Sequence, residues 1–104
     1  MNVAELERAA DTVSGYMKLL SSPGRLMILC QLVEGERSAG ELCGLVGMKA
    51  PAMSQQLGRL KSEGIIRARR AGQNIFYSIA DENALAIMGF LYEKFCAEPV
   101  KKKK

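Results

Sequence analysis

The chain has 104 residues, three cysteines and no histidine, so its reactive chemistry rests on thiols. Cys30, Cys43 and Cys96 stand far apart, with no Cys-x-Cys or Cys-x-x-Cys spacing. Such thiols can ligate a soft metal, exchange with disulfides and oxidants, or fill space as small apolar residues. Packing is the plain reading for Cys30, which ends the apolar run Leu26-Met27-Ile28-Leu29. A disulfide needs two Cα atoms within about 7 Å, which distance along the chain does not settle. A second set of residues is polar: Lys49, Ser54, Gln55, Gln56 and Arg59, then Arg69, Arg70 and Gln73. These are the donors and cations that contact bases and phosphates. Residues 49–73 hold six bases against one acid, whereas residues 1–48 and 74–100 are both net acidic. That concentration is the electrostatic footprint of phosphate contact. A solvated basic surface would carry the same charge, so the elements beneath must decide.

Those elements read as helix, helix, helix, helix, hairpin, helix. Residues 4–20 place Leu6, Ala10, Val13, Met17 and Leu20 at helical spacing. Ser22-Pro23 restarts a helix that runs to about Val33 and is apolar on most sides, as a central core helix must be. Ser38-Ala39-Gly40-Glu41 has the form of a capping box, followed by Leu42, Leu45 and Val46 and stopped by Gly47. Ala50-Pro51 opens the next helix; Met53, Leu57 and Leu60 share one face, leaving Ser54, Gln55, Gln56 and Arg59 elsewhere. Gly64 ends it. Residues 65–70 and 74–79 read as strands around Ala71-Gly72-Gln73, with Ile66 and Ala68 facing in and Arg67 and Arg69 facing water. Asp81 or Asn83 starts a last helix that ends near Cys96, before Pro99. A short helix propping a polar-faced helix is a helix-turn-helix, and the hairpin behind it is a wing. The expected fold is therefore mainly α with a small β-hairpin, a winged helix-turn-helix in one domain over residues 1–100. Lys101–Lys104 read as a basic disordered tail.

The first and last helices carry broader apolar faces than so small a core can cover. Two copies packed through them would bury both, and a two-fold dimer presents two reading helices to successive major grooves. No apolar run approaches the roughly 20 residues of a membrane span. Glu5, Glu7 and Asp11 interrupt any secretion signal, so a cytoplasmic protein is expected. There is no nucleophile with a base at readable spacing and no phosphate-cradling glycine motif, so an enzyme is not expected. No cofactor is called for.

Five strings, in this order and spacing, resemble the ArsR family of bacterial winged-helix repressors. They are Leu20-Ser21-Ser22-Pro23-Gly24-Arg25-Leu26-Met27-Ile28-Leu29, Gly40-Glu41-Leu42-Cys43, Met53-Ser54-Gln55-Gln56-Leu57, Leu60-Lys61-Ser62-Glu63-Gly64-Ile65-Ile66, and the wing from Arg69 to Ile79. The resemblance spans about residues 4–96. It implies a homodimer that binds double-stranded operator DNA at an inverted repeat and leaves it when an inducer is sensed. The family often has histidine where this chain has Gln56, and Gln or Ser where it has Lys49-Ala50-Pro51. Glutamine can pair bidentately with adenine, and Ala or Pro can meet a thymine methyl. On this reading Ser54, Gln55 and Gln56 meet base edges, Lys49 and Arg59 meet phosphates or bases, and Arg69, Arg70 and Gln73 reach from the wing.

Metal-sensing members use a Cys-x-Cys pair or histidine-containing sets, and this chain has neither. Instead Leu29-Cys30-Gln31-Leu32 and Leu91-Tyr92-Glu93-Lys94-Phe95-Cys96 are similar to the cysteine segments of the thiol-sensing branch. That similarity implies that Cys30 and Cys96 are redox-sensing residues, joined by a disulfide or polysulfide when a reactive sulfur species or oxidant arrives. Cys43 matches no sensing position and is read as structural. The alternatives are a metal-responsive repressor of the same family and a protein–protein adaptor on the winged-helix frame.

Overall fold

Five helices and three strands follow one another along residues 1–96, the part described by the computed structural model. They are α1 (Val3–Leu20), α2 (Pro23–Val33), β1 (Arg37–Ser38), α3 (Ala39–Val46), α4 (Ala50–Ser62), β2 (Ile66–Ala71), β3 (Asn74–Ile79) and α5 (Glu82–Phe95). The expected stretch 97–100 and the lysine tail 101–104 lie outside the described residues.

The local signals act where the sequence puts them. The Ser38 hydroxyl accepts the Glu41 N–H, and the Glu41 carboxylate accepts the Ser38 N–H at 2.8 Å. This reciprocal box satisfies two donors that a helix start leaves open. Ser38→Ala is expected to cost about 1 kcal/mol, within the range of N-cap deletions, measured as a lowered urea midpoint at unchanged slope. The two reading-motif helices both end on left-handed glycines, Gly47 and Gly64, each at φ +77°. In that conformation Met48 N–H reaches Cys43 O and Ile65 N–H reaches Leu60 O, recovering carbonyls that the helix ends would orphan.

The wing differs from the expected hairpin. It is a three-stranded antiparallel sheet, ordered β1-β3-β2, with Arg37 opposite Tyr77 and Ile66 opposite Ile79. The extra strand, β1, has only two residues. Two residues show no alternation, so pairing with β3, not local pattern, makes them a strand.

The core forms around α2. Ile28, Leu29, Leu42, Met53 and Leu60 are fully buried, joined by Ile65 and Ile66 from the start of the wing. The expected α4 face holds: Met53, Leu57 and Leu60 point inward. In α3 the inward residue is Leu42, while Leu45 is half exposed. In α1, 18 residues long, Leu19 is the one buried residue. Leu6, Val13 and Met17 on α1, and Leu85, Phe90, Tyr92 and Phe95 on α5, are exposed. The two helices are tied by a polar cluster. Tyr16 Oη donates to Asp81 Oδ2 at 2.7 Å, and the same oxygen caps α5 by accepting the Ala84 N–H. The bond to Asp81 holds the Tyr16 hydroxyl above its ordinary value. No helix among the described residues is long and apolar enough to cross a membrane.

Candidate nucleic-acid interface and thiol pair

The outward face of α4 is polar and small in relief. Ala52, Ser54, Gln55, Gly58 and Arg59 are exposed on it, and Lys49 stands exposed at the N-cap. Its N-terminal N–H groups have no side-chain cap, so the positive end of the helix is open to an anion. Arg59 lies 3.9 Å from Glu63 one turn on, an exposed contact worth little. On the wing, Arg67, Arg70 and Gln73 are exposed. The expected inward positions Ile66 and Ala68 are buried and half-buried.

Two residues expected on this surface are already engaged. Gln56 is half-buried, and its side-chain oxygen accepts from Arg25 Nη1 at 3.1 Å. Arg69 makes a two-pronged contact to Glu36, Nε to Oε2 at 2.9 Å and Nη2 to Oε1 at 2.8 Å. Its guanidinium carbon also lies 5.2 Å from the centre of the Phe76 ring, within cation–π range. The Arg69 guanidinium holds the Glu36 carboxyl below the ordinary carboxylate range, and Glu36 raises Arg69 in turn. The pairing is therefore intact above that range and is lost only as pH falls through the lowered Glu36 value.

Two partners escaped the sequence reading. Glu36 sits in the turn after α2, and nothing local ties it to a residue 33 positions away. Arg25 left a signal: it is in register with Ile28, Leu29 and Leu32 on the buried face of α2. A cation on a core-facing position needs buried acceptors, and Arg25 finds them in Leu19 O at 2.8 Å, Lys18 O and Gln56.

The thiols separate into a pair and a single. Cys30 and Cys96 both line one apolar cleft of about 640 Å³ between α2 and α5. Met27, Val33, Met88, Tyr92 and Phe95 are among the apolar residues of its wall, and Glu34 is the one charged lining residue among the described residues. Cys30 is half-buried; Cys96, at the C-cap of α5, is exposed. Both are free thiols. Cys43 is half-buried on α3, packed against the core and away from the cleft. Among the described residues no group of three or more His, Cys, Asp or Glu side chains could hold a metal ion.

Comparison with known proteins agrees with this architecture. A family profile described as "Bacterial regulatory protein, arsR family" matches residues 22–68. A biofilm growth-associated repressor of Xylella fastidiosa (strain 9a5c) is 43% identical over 98 residues, covering 94% of this chain and 86% of that protein. The crystal structure of the transcriptional repressor BigR from Xylella fastidiosa superposes with a TM-score of 0.88 at 43% identity, over 94% of this chain and all of that one. A homodimeric winged helix-turn-helix DNA-binding domain from Mycobacterium bovis, solved in solution, has a TM-score of 0.73 at 32% identity, over 85% of this chain and 82% of that one. With the fold, the reading motif and near full-length identity in agreement, the chain is a winged helix-turn-helix transcriptional regulator and belongs to the ArsR family of bacterial regulatory proteins.

Proposed function

We propose that this regulator is a homodimeric repressor that binds inverted-repeat operator DNA and releases it when a reactive sulfur species or other oxidant joins Cys30 to Cys96. The observation that carries this reading is the shared cleft: two free thiols, 66 residues apart in sequence, open into one space between α2 and α5. The exposed bases of α4 and the wing support the DNA half of the proposal. The unpaired apolar residues of α1 and α5 support the dimer.

The chemistry balances in two steps. One cysteine thiolate attacks the outer sulfur of a small persulfide RSSH, takes it up as a protein persulfide and expels RS⁻. The second thiolate attacks the protein-bound sulfur, forms the S–S bond and expels HS⁻. Two protein thiols are oxidised, and RSSH leaves as RSH and H₂S. With a hydroperoxide ROOH the first product is a sulfenic acid with release of ROH, and the second step expels water. The bond would draw the middle of the fold toward the end of α5. Because α5 carries an unpaired apolar face, a shift there re-spaces two α4 helices across a dimer. A dimer that cannot fill both half-sites loses the gain of binding twice.

On the DNA side, Lys49, Ser54, Gln55, Arg70 and Gln73 are free candidates for contact, Arg59 has only its exposed approach to Glu63 at 3.9 Å, and Gln56 has its oxygen engaged by Arg25. Arg69 is held by Glu36 and enters only when released. Glu36→Gln is therefore expected to tighten binding to any duplex and to steepen the dependence of log affinity on log salt by about 0.9, one phosphate's share. Anisotropy titrations at several salt concentrations read both; an unchanged slope removes Arg69 from the contact set.

The proposal is tested by selecting duplexes with reduced protein, then measuring their affinity before and after persulfide or hydroperoxide treatment. Mass spectrometry identifies the cysteine product in each sample. Affinity that is unchanged in a fully Cys30–Cys96-linked sample sinks the switch. Failure of the reduced protein to select any duplex sinks the DNA reading and favours an adaptor role.

A further inference from the structure

Arg25 is the one buried charged residue of the described chain, and its guanidinium is divided between two tasks. Nε and Nη2 donate to the carbonyls of Leu19 and Lys18, in the last turn of α1. Both carbonyls lie at the negative end of the helix dipole; Lys18 O also accepts from the Ser21 N–H at 3.2 Å and the Ser21 hydroxyl at 2.7 Å. Nη1 is spent on the Gln56 side-chain oxygen of α4. The two α1 carbonyls clamp the planar fork, so Arg25 is the fixed partner and the Gln56 amide is the follower.

The orientation of that amide is dictated by chemistry. A guanidinium has donors and no acceptor, so the oxygen of Gln56, never its nitrogen, faces Arg25. Gln56 Nε2 makes no hydrogen bond among the described residues and is not a buried, unsatisfied atom. Bidentate pairing with adenine needs the amide oxygen and nitrogen side by side on the base edge. With one lone pair of the oxygen committed to Arg25, the amide is held in one orientation and its Nε2 donors are left for the DNA.

We infer that Arg25 is a positioning residue for DNA reading: by holding the Gln56 oxygen it fixes the amide and directs its Nε2 donors at an acceptor on the DNA. The acceptor is a purine N7, guanine O6, thymine O4, or a phosphate oxygen. This inference rests on the DNA-binding reading above. It adds that the end of α1, a helix with an unpaired apolar face, is joined to the reading helix through the Arg25 side chain.

The test is a double-mutant cycle on a duplex selected by the unmodified protein, using Arg25→Lys, Gln56→Ala and the double variant. Gln56→Ala is expected to weaken binding about 2- to 10-fold, the loss of one hydrogen bond. Arg25→Lys, which keeps the charge but not the fork, is expected to weaken it comparably and to add nothing once Gln56 is alanine. Independent, multiplying losses overturn the inference, because an arginine that merely caps α1 would act without Gln56. Gln56→Glu keeps a partner for Arg25 but removes the donors; it is expected to lose at least as much as alanine, and full retention of affinity also overturns the inference. This arm stands even if Arg25→Lys unfolds, which thermal melts would reveal. Repeating the selection with Gln56→Ala separates the sources: a preference erased at one G·C or A·T pair marks a base edge, and a uniform loss marks a phosphate. If the unmodified protein selects no duplex, the DNA reading and this inference fail together. If it selects one and the losses multiply, the Arg25 inference alone fails.

Discussion

Cys30→Ser and Cys96→Ser proteins will bind the selected operator as tightly as the reduced parent and will keep it under persulfide treatment that strips the parent. The parent's loss is expected at about 5- to 150-fold, the span of an allosteric coupling of about 1–3 kcal/mol. A link needs two thiols in reach of one another, and Cys30 and Cys96 are the pair that lines one cleft. Removing either leaves the first adduct without a resolving partner. Cys43, packed on α3 away from the cleft, serves as the control: Cys43→Ser should release DNA as the parent does. Serine at 30 or 96 does not disturb a fully buried site, since Cys30 is half-buried and Cys96 exposed, so the DNA affinity of reduced protein is expected to hold. The measurement is operator affinity before and after treatment, with the mass of each product. Release of DNA by either single variant to the parent's extent would show that one thiol suffices, and the paired mechanism would be wrong.

The largest effect on stability is expected at Leu42. Leu42 is 0% exposed and Leu45 is 50% exposed, yet both lie on the same eight-residue helix. Leu42→Ala empties a site enclosed by α2, α4 and the wing, and is expected to cost about 2–5 kcal/mol. Against a total of about 5–15 kcal/mol for a typical domain, that is a large share. At about 4–8 °C per kcal/mol for a domain of this size, the melting temperature falls by about 8–40 °C. Leu45→Ala removes the same atoms from a surface already half wet, and should cost no more than about 0.5 kcal/mol. Because helix propensity changes identically at both positions, the difference isolates burial. Equal losses from the two variants would mean that Leu45 is covered in the assembled protein, and would locate a contact on α3.

What could be read from the chain was whatever depends on near neighbours. The capping box at Ser38 and Glu41 and the glycine stops at Gly47 and Gly64 are local devices, and each is found where its residues stand. The inward face of α4, Met53-Leu57-Leu60, follows from a 3.6-residue period. The same period says less for α1. It marks a stripe from Leu6 to Met17 as apolar, but it does not say what the stripe meets, and in the single chain that stripe stays exposed. It also marks Leu45 as equivalent to Leu42, because it cannot tell the centre of a face from its edge. Strand β1 is legible only from β3, which supplies its hydrogen bonds.

The surface residues divide in the same way. That bases gather between positions 49 and 73 is a fact of composition, and the winged frame turns it into a charged face. Which of those bases is free is a matter of partners. Arg69 and Arg70 are adjacent and chemically identical, yet one is clasped by Glu36 and stacked on Phe76 while the other is exposed with no ion pair among the described residues. Gln55 and Gln56 differ likewise, one outward and one turned onto Arg25.

By itself, then, the order of amino acids determined the run of helices, the turns that end them, the polar face of the reading helix and the family to which the chain belongs. Those properties depend on backbone preferences and on the periodic placement of apolar side chains, which act over a few residues. Only the tertiary structure decided that Cys30 and Cys96 share a cleft, that Arg25 reaches Gln56 and that Glu36 restrains Arg69. Each of these joins residues at least 31 positions apart. Such pairs are set by how helices pack around a common core, and no local pattern in the chain encodes the distance between them.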